Sequence, residues 1–288
     1  MLVKRKKEMK RSLMKNKLSK ILFVAGFLIC ISPMAFNLFM ARGQKQIIST
    51  YEKSVEQHAE EYISEKEAAM KYNDLLFQTG GNIVDNVDQT VLSENNYEEL
   101  LNLTNTGVMG SLEIPKIDVR LPIYHGTSDD VLASGLGHLQ GTSLPVGGKN
   151  THAVITGHRG LPSSKLLVRL DEMKKDDLFY VKIGNETLAY KVSNIATVDP
   201  SKITSIDIKQ DKDLVSIVTC TPYGINTKRL IVTGERVPFK EAEYKSIPAS
   251  IPSIREIVFT VLPFVFFLVV VIGQIVKRRM VKHENIKK

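Results

Sequence analysis

The sequence predicts a mainly β domain, folded as a closed or nearly closed barrel and attached to two membrane-spanning helices. From residue 111 onward, short apolar runs alternate with turn residues at the spacing of a strand-and-turn protein. Near each end of the chain lies an apolar run of about 20 residues, which is the length that crosses a bilayer as a helix. The 288 residues suffice for one such domain and its anchors.

Charge is concentrated at the two ends of the chain. Residues 1–20 carry nine Lys or Arg and one Glu, and residues 277–288 carry six and one. The net charge of the whole chain is +8, less than the +13 of these tails, so the remainder carries −5. A nucleic-acid-binding protein usually bears its positive charge on the folded domain. We therefore predict no nucleic-acid partner, and we interpret the basic tails as signals of membrane topology.

The basic tails predict the orientation of both membrane segments. Residues 21–41 and 257–276 are the apolar runs, and each has a basic cluster on its terminal side. The positive-inside rule places both tails in the cytoplasm and residues of about 42–255 outside the cell membrane. The first run has an alternative interpretation as a cleaved signal peptide, although no cleavage site of the A-x-A type is evident.

Between the first apolar run and the barrel, residues 42–106 form a predicted stalk helix and connector. Apolar side chains recur at helical spacing over 45–77 and predict a packing helix. A second, short helix is expected near Tyr97–Leu103. The barrel domain is predicted over 107–237, with a hairpin turn at Gly184-Asn185 and a helix over 163–173. Residues 238–256 are a predicted linker back to the membrane.

The two cysteines have different environments and cannot pair. Cys30 lies inside the first apolar run, whereas Cys220 ends an apolar strand in the outer domain. One interpretation of Cys220 is a buried, inert thiol. The other is a nucleophile, because a strand end followed by Pro222 and Gly224 can present a side chain to an open groove. Arg229, nine residues on, would then favour the thiolate or stabilise a developing oxyanion.

Four histidines belong to the predicted domain. His125 and His138 lie in Gly-rich stretches and are expected at the surface, while His152 and His158 lie in one strand pattern with even spacing. His158 stands where the strand breaks between two glycines, and spacing alone favours it slightly over His152. Neither metal-ligand spacing nor a phosphate-binding loop is found, so no metal and no cofactor are predicted.

Three stretches resemble sortases, and within these the class C, pilus-building type. The first is IVTCTPYGINTKRL at 217–230, the second is GHLQGTSLPVGGKNTHAVITGHRGLP at 137–162, and the third is IPKID at 114–118. The resemblance is close over roughly 107–237. It implies an eight-stranded barrel with His158, Cys220 and Arg229 as the catalytic residues. It also prefers His158 to His152 by motif.

The resemblance implies a transpeptidase. In the family, the cysteine attacks the threonine carbonyl of an LPxTG-type sorting signal on a secreted pilin or surface protein, and an amine then releases the acyl group. For class C members that amine is a lysine of another pilin subunit. Residues around the cysteine are predicted to bind substrate: Thr219, Thr221, Pro222, Tyr223 and Asn226.

One departure from the class concerns the lid. Many class C members carry an Asp-Pro-aromatic anchor before the barrel, but residues 85–90 here read DNVDQT. Asp85 and Asp88 are the lid candidates, and we expect a lid that is absent or degenerate. Two other functions stay open: a sortase that attaches proteins to peptidoglycan, and a non-catalytic, membrane-tethered binding barrel.

Overall fold

The structure is a computed structural model that describes residues 2–79, 97–160, 166–202, 206–247 and 254–286. The chain forms two compact units. One comprises Met1–Leu38 and Ile251–Lys288, and the other comprises Phe39–Ser250.

The first unit is built from two long helices, α1 (Leu2–Gln57) and α5 (Ile254–Ile286). Both contain apolar stretches long enough to cross a membrane, found within Lys17–Gln57 and Thr260–Lys277. Their large apolar side chains are mostly exposed, as expected of surfaces that face lipid. Within this unit Phe23 stacks on Phe267 with 5.4 Å between ring centroids. Both predicted apolar runs are therefore helical.

The second unit begins with the last part of α1 and with α2 (Ala59–Gln78). The helix predicted over 45–77 is thus present, but it is broken at His58, where φ is −124° and ψ is 45°. Its predicted apolar face is buried apart from Ala59. The Tyr51 hydroxyl donates to Met109 O at 2.8 Å, and that of Tyr62 donates to Ile183 O at 2.9 Å. The two helices therefore pack on the barrel.

Eight strands form a closed barrel in the order β1-β2-β3-β4-β7-β8-β6-β5, which confirms the predicted fold class. Their bounds are β1 Val108–Ile114, β2 Val119–His125, β3 Leu136–His138, β4 Thr151–Thr156, β5 Leu178–Ile183, β6 Glu186–Val198, β7 Asp213–Thr221 and β8 Lys228–Val237. The β2–β3 and β4–β7 pairs are parallel, and the other pairs are antiparallel. The predicted hairpin at Gly184-Asn185 joins β5 to β6.

Alternate residues of β7 face two different apolar clusters. Val215 and Ile217 belong to the main core inside the barrel. Val218 belongs to a smaller cluster with Val154 of β4 and Ile206, outside the barrel. Because side chains alternate along a strand, Cys220 shares the outer face with Val218.

Two local predictions were wrong. Within 163–173, the described residues 166–173 form turns and a 3-10 helix, Leu170–Glu172, in place of an α-helix. Leu167, Leu170 and Met173 are buried in the core. Their spacing of three residues matches the three residues per turn of a 3-10 helix. Residues 97–101 form hydrogen-bonded turns, with a positive φ of 61° at Leu101, so the short helix expected there does not form.

The segment after β8, predicted to be a linker, has local structure in its described part. It contains a short helix, α4 (Glu241–Ser246), and α3 is the other short helix, Asp129–Ser134. The Tyr244 ring packs edge-on against Tyr180 at 4.9 Å, and its hydroxyl donates to Glu113 Oε2 at 2.5 Å. Residues 239–246 are therefore attached to the barrel by aromatic contacts that linker composition does not reveal.

Candidate active site

Cys220 lies one residue before the end of β7 and is half-buried. Residues 222–227, which follow the strand, are exposed and form the loop to β8. Gly224 and Asn226 both have positive φ angles, of 79° and 61°, which the tight reversal requires. The thiol is thus held by a strand of the barrel at the edge of an open loop.

Arg229 lies directly opposite Cys220 in the antiparallel β7–β8 pair. Residues in register on antiparallel strands place their side chains on the same face, with Cβ atoms about 5 Å apart. The guanidinium Nη1 donates to two carbonyl oxygens of its own loop, those of Asn226 at 3.3 Å and Lys228 at 3.2 Å. The sheet therefore brings the predicted arginine beside the predicted cysteine.

His158 follows β4, which pairs in parallel with β7. Thr156 is in register with Val218, and the Gly157 amide continues the ladder by donating to Val218 O at 3.1 Å. Continuing this register by two residues places His158 beside Cys220, on the same face. His158 is half-buried, as a ring that exchanges protons with a substrate requires. Of the three residues predicted to be catalytic, Cys220 and Arg229 thus lie on the adjacent strands β7 and β8, and His158 lies in the segment that follows β4.

Three side-chain hydrogen bonds join β4 and the residues after it to the end of β7, and one of them runs from the Thr156 hydroxyl to Val218 O at 3.2 Å. The Thr219 hydroxyl donates to Gly157 O at 2.8 Å, and Arg159 Nη1 donates to Thr221 Oγ1 at 2.6 Å. Sequence reasoning missed Arg159. Its position next to His158 is the only sequence signal that points to it.

The residues predicted to bind substrate divide into two groups. Pro222, Tyr223 and Asn226 are exposed in the β7–β8 loop, and Thr221 is half-buried. Thr219 is 1% exposed and its side chain faces inward, toward Gly157. This position does not fit a substrate contact, and we correct the interpretation of Thr219 to a structural one. The pattern TCT around the cysteine does not distinguish inward from outward side chains.

His152 lies on the outer face of β4, as His158 does, but it is fully buried. Its Nδ1 donates to Asp207 O at 2.9 Å, and its Nε2 lies 2.8 Å from Ser216 Oγ. Burial lowers the pKa of His152 and so favours the neutral ring. His152 therefore fastens the β6–β7 loop to the sheet, and the structure separates it from His158 by burial.

The surface position expected for His138 was wrong. His138 is fully buried in β3: its Nε2 donates to Ser143 O at 2.8 Å, and its Nδ1 accepts from the Tyr97 hydroxyl at 2.8 Å. Burial lowers its pKa to about 4. His125 is half-buried, with Nδ1 and Nε2 at 2.9 and 2.6 Å from Gly107 O and Leu100 O. The glycine-rich sequence around them predicted loops, but His125 lies in β2 and His138 lies in β3.

A separate cavity of about 560 Å³ opens at the other end of β7 from Cys220. Asp213 lies in its wall, where it accepts from Gly148 N at 2.9 Å and from Tyr190 Oη at 3.0 Å and pairs with Arg236 at 3.4 Å. Burial raises the pKa of Asp213. None of the residues predicted to be catalytic lines this cavity.

Two further predictions concern the lid and metals. Asp85 and Asp88, the lid candidates, lie outside the described residues. Within the described ranges, no group of three or more His, Cys, Asp or Glu side chains is placed to hold a metal ion.

Comparison with known proteins identifies the class. The sortase-domain family model matches residues 112–237. Sortase D of Bacillus subtilis is 32% identical over 131 residues, which are 44% of this chain and 63% of that protein, so the match spans slightly less than two thirds of the relative. The eight-stranded barrel is the fold of this family, and a solved sortase that is 44% identical is covered over its whole length, so the chain belongs to the sortase family of cysteine transpeptidases.

Solved structures narrow the class. Sortase C1 from Streptococcus agalactiae is 44% identical with a TM-score of 0.63, and the match covers 68% of this chain and all of that one. Sortase C of Clostridium perfringens, solved with a C-terminal cell wall sorting motif, is 41% identical with a TM-score of 0.57, covering 67% of this chain and 99% of that one. These neighbours place the chain among the class C sortases.

Proposed function

We propose that this chain cleaves an LPxTG-type sorting signal after its threonine and transfers the threonyl group to a lysine amine of a pilin subunit. The observation that supports the proposal is the pairing of Cys220 with Arg229 across β7 and β8, together with the position of His158 directly after β4, the other neighbour of β7. Support for the substrate comes from the C. perfringens relative, which was solved with a cell wall sorting motif. Support for a pilin comes from a sortase C of Streptococcus pneumoniae, whose crystal structure is described as informative on pilin substrate specificity.

The proposed reaction has two acyl transfers. The Cys220 thiolate attacks the threonine carbonyl carbon, and the C–N bond breaks as His158 donates a proton to the leaving amine. A thioester remains on Cys220. An incoming lysine amine then attacks the thioester, His158 accepts the proton, and the thiolate leaves as a new amide forms.

Arg229 is proposed to stabilise the oxyanion in both steps. Its guanidinium lies on the same face as Cys220, and a charged donor fixed near a developing oxyanion stabilises the transition state more than the ground state. Its present contacts with two loop carbonyl groups keep the guanidinium near the end of the sheet.

The location is part of the proposal. The two apolar helices would cross the cell membrane, with both basic tails in the cytoplasm and the barrel outside. This location puts the cysteine where secreted proteins pass.

The test is the detection of an acyl-enzyme by intact mass spectrometry. The full chain in detergent, with Cys30→Ser so that Cys220 is the sole thiol, is incubated with an LPxTG-type peptide. We expect an adduct on Cys220 that an added amine discharges, and none with Cys220→Ala. An unmodified chain with every such peptide, together with a Cys220 that resists a small thiol reagent, would overturn the proposal. Transfer to a peptidoglycan-type amine but not to a pilin lysine would favour the peptidoglycan alternative.

A further inference from the structure

The residues on either side of Cys220 are bonded to the residues on either side of His158. Thr219 bonds to Gly157, and Thr221 bonds to Arg159, at 2.8 and 2.6 Å. The two cross-links therefore lie before and after the cysteine–histidine pair. The second link ends at Thr221, the last residue of β7 before the exposed loop.

Arg159 is unusual because its charge is buried: the residue is only 7% exposed. Its Nη2 pairs with Asp171 Oδ2 at 2.5 Å, and its Nε points to Val168 O at 3.5 Å. A buried cation without such a partner would cost several kcal/mol. The planar guanidinium thus donates to three groups in different directions, which a lysine ammonium at the same place does not reproduce.

The Asp171 side chain is 38% exposed, but its backbone is next to a core residue. It lies in the 3-10 helix Leu170–Glu172, whose Leu170 is fully buried. The chain of contacts runs from the core through Asp171 and Arg159 to Thr221. It reaches the strand end that carries Cys220 without passing through the exposed loop.

We propose that Arg159 is a positioning residue of the transpeptidase: held by Asp171, it bonds to Thr221 and thereby sets the Cys220 thiol relative to the His158 ring. The inference rests on the proposed function, since it requires that Cys220 and His158 act together. Proton transfer needs the two groups within hydrogen-bond reach, and an error of about 1 Å can cost about 100-fold in rate.

The experiment uses a series of single substitutions in the full chain, in detergent and with Cys30→Ser. Thr221→Val removes the hydroxyl at constant shape, and Thr221→Ser keeps it. Arg159→Lys keeps the positive charge but loses the planar guanidinium, whose N–H groups bond to several partners at once. Arg236→Lys is the matched control, since Arg236 pairs with Asp213 at the far end of β7.

Two readouts are taken from each variant. One is the rate of Cys220 alkylation by iodoacetamide from pH 5 to 9, without substrate. The other is kcat and KM with an LPxTG-type peptide and an amine. We expect Thr221→Val and Arg159→Lys to lower kcat about 10- to 100-fold and to change the pH profile of alkylation. Thr221→Ser, which keeps the hydroxyl, should recover most of what Thr221→Val loses, and Arg236→Lys should keep wild-type behaviour in both readouts.

The outcomes separate the two proposals. The positioning role is overturned if Thr221→Val keeps the wild-type kcat and alkylation profile, or if Thr221→Ser loses as much as Thr221→Val. A rise in KM with an unchanged alkylation profile also overturns it, because Thr221 would then be a substrate contact. If Arg159→Lys does not fold, the comparison of Thr221→Val with Thr221→Ser tests the positioning role by itself. The proposed function fails instead if the His158→Ala variant and the wild-type chain have the same pH profile of Cys220 alkylation.

Discussion

At the scale of single residues, burial separates the histidines that sequence spacing could not. His138 and His152 are fully buried, and both ring nitrogens of each contact protein groups. His158 is half-buried at the end of its strand. A residue that donates a proton to a substrate must be reachable by it, so accessibility favours the same histidine as the family motif.

Arg229→Ala tests the oxyanion role at this scale. Removing a charged donor from an oxyanion site should lower kcat by about 100- to 1,000-fold, with a smaller effect on KM. The measurement is steady-state kinetics with an LPxTG-type peptide. Lys228→Ala is the control, because this neighbouring cation is exposed and its side chain alternates to the other face. Equal losses in both variants would contradict a specific role for Arg229.

The buried ring of His138 predicts a pH dependence of stability. Its pKa is lowered to about 4 in the folded chain, against about 6.5 for an unfolded one. Between these values the unfolded chain binds the additional proton, so the free energy of unfolding rises with pH. Its contribution is fully present above pH 6.5 and is lost as pH falls toward 4, by a total on the order of 3 kcal/mol.

His138→Gln provides the comparison for this pH dependence. The glutamine amide does not titrate and can still donate to Ser143 O. Denaturant unfolding between pH 4 and 7.5 should therefore show a smaller slope with pH in the variant, with a residual slope from His152. Identical slopes in the two proteins would show that His138 is not the group responsible.

At the scale of elements, one parallel pair and one fastened loop shape the candidate site. The β4–β7 pair brings His158 beside Cys220 across 62 residues of sequence. On the same face, His152 bonds to Asp207 of the β6–β7 loop and to Ser216 of β7, whose hydroxyl bonds to that of Thr233 at 2.7 Å. These polar side chains on β4, β7 and β8 thus connect the β6–β7 loop to the sheet.

His152→Ala should release this loop. Its loss leaves the Ser216 hydroxyl with one partner fewer and the Asp207 carbonyl without its ring donor, at a cost of about 1–3 kcal/mol in unfolding free energy. Hydrogen exchange should accelerate over residues 206–212 and stay unchanged over β1 and β2. Uniform acceleration across the barrel would mean that the substitution destabilises the whole fold and does not act on the loop.

At the scale of the whole molecule, charge and apolarity are divided along the chain. The basic residues are concentrated at both ends, beside helices whose large apolar side chains are exposed, while the barrel domain keeps its apolar residues in a core. A bilayer offers those helices the apolar surroundings that water does not. From this distribution of charge and apolar surface we propose that both helices cross the membrane and that both basic tails lie in the cytoplasm.

Labelling with a membrane-impermeant maleimide tests the two-pass arrangement. In intact cells, Cys220 should react in the Cys30→Ser chain. Cysteines placed in the tails by Ser12→Cys and Val281→Cys, each in a chain lacking Cys30 and Cys220, should react only after permeabilisation. Labelling of either tail in intact cells would contradict the topology. Loss of residue 12 from the mature chain would show that the first apolar run is a cleaved signal.

Much of the fold could be predicted from the sequence because its signals are local. The membrane helices, the apolar face of the stalk and the β5–β6 hairpin each depend on residues within one turn or one strand of each other. The predictions for 97–103 and 163–173 were wrong, and the packing of the segment after β8 was not predicted, because the deciding contacts are distant. Tyr244, for example, packs on Tyr180 and bonds to Glu113, 131 residues away.

The candidate site divides in the same way. By itself, the sequence determined a cysteine at a strand end, a histidine between two glycines and an arginine beginning the next strand, and their motifs implied the family. Only the tertiary structure decided that His152 and Thr219 are buried, and that Arg159 reaches Thr221. Burial and hydrogen-bond partners depend on which strands become neighbours, and β4 becomes the neighbour of β7 only when the barrel closes.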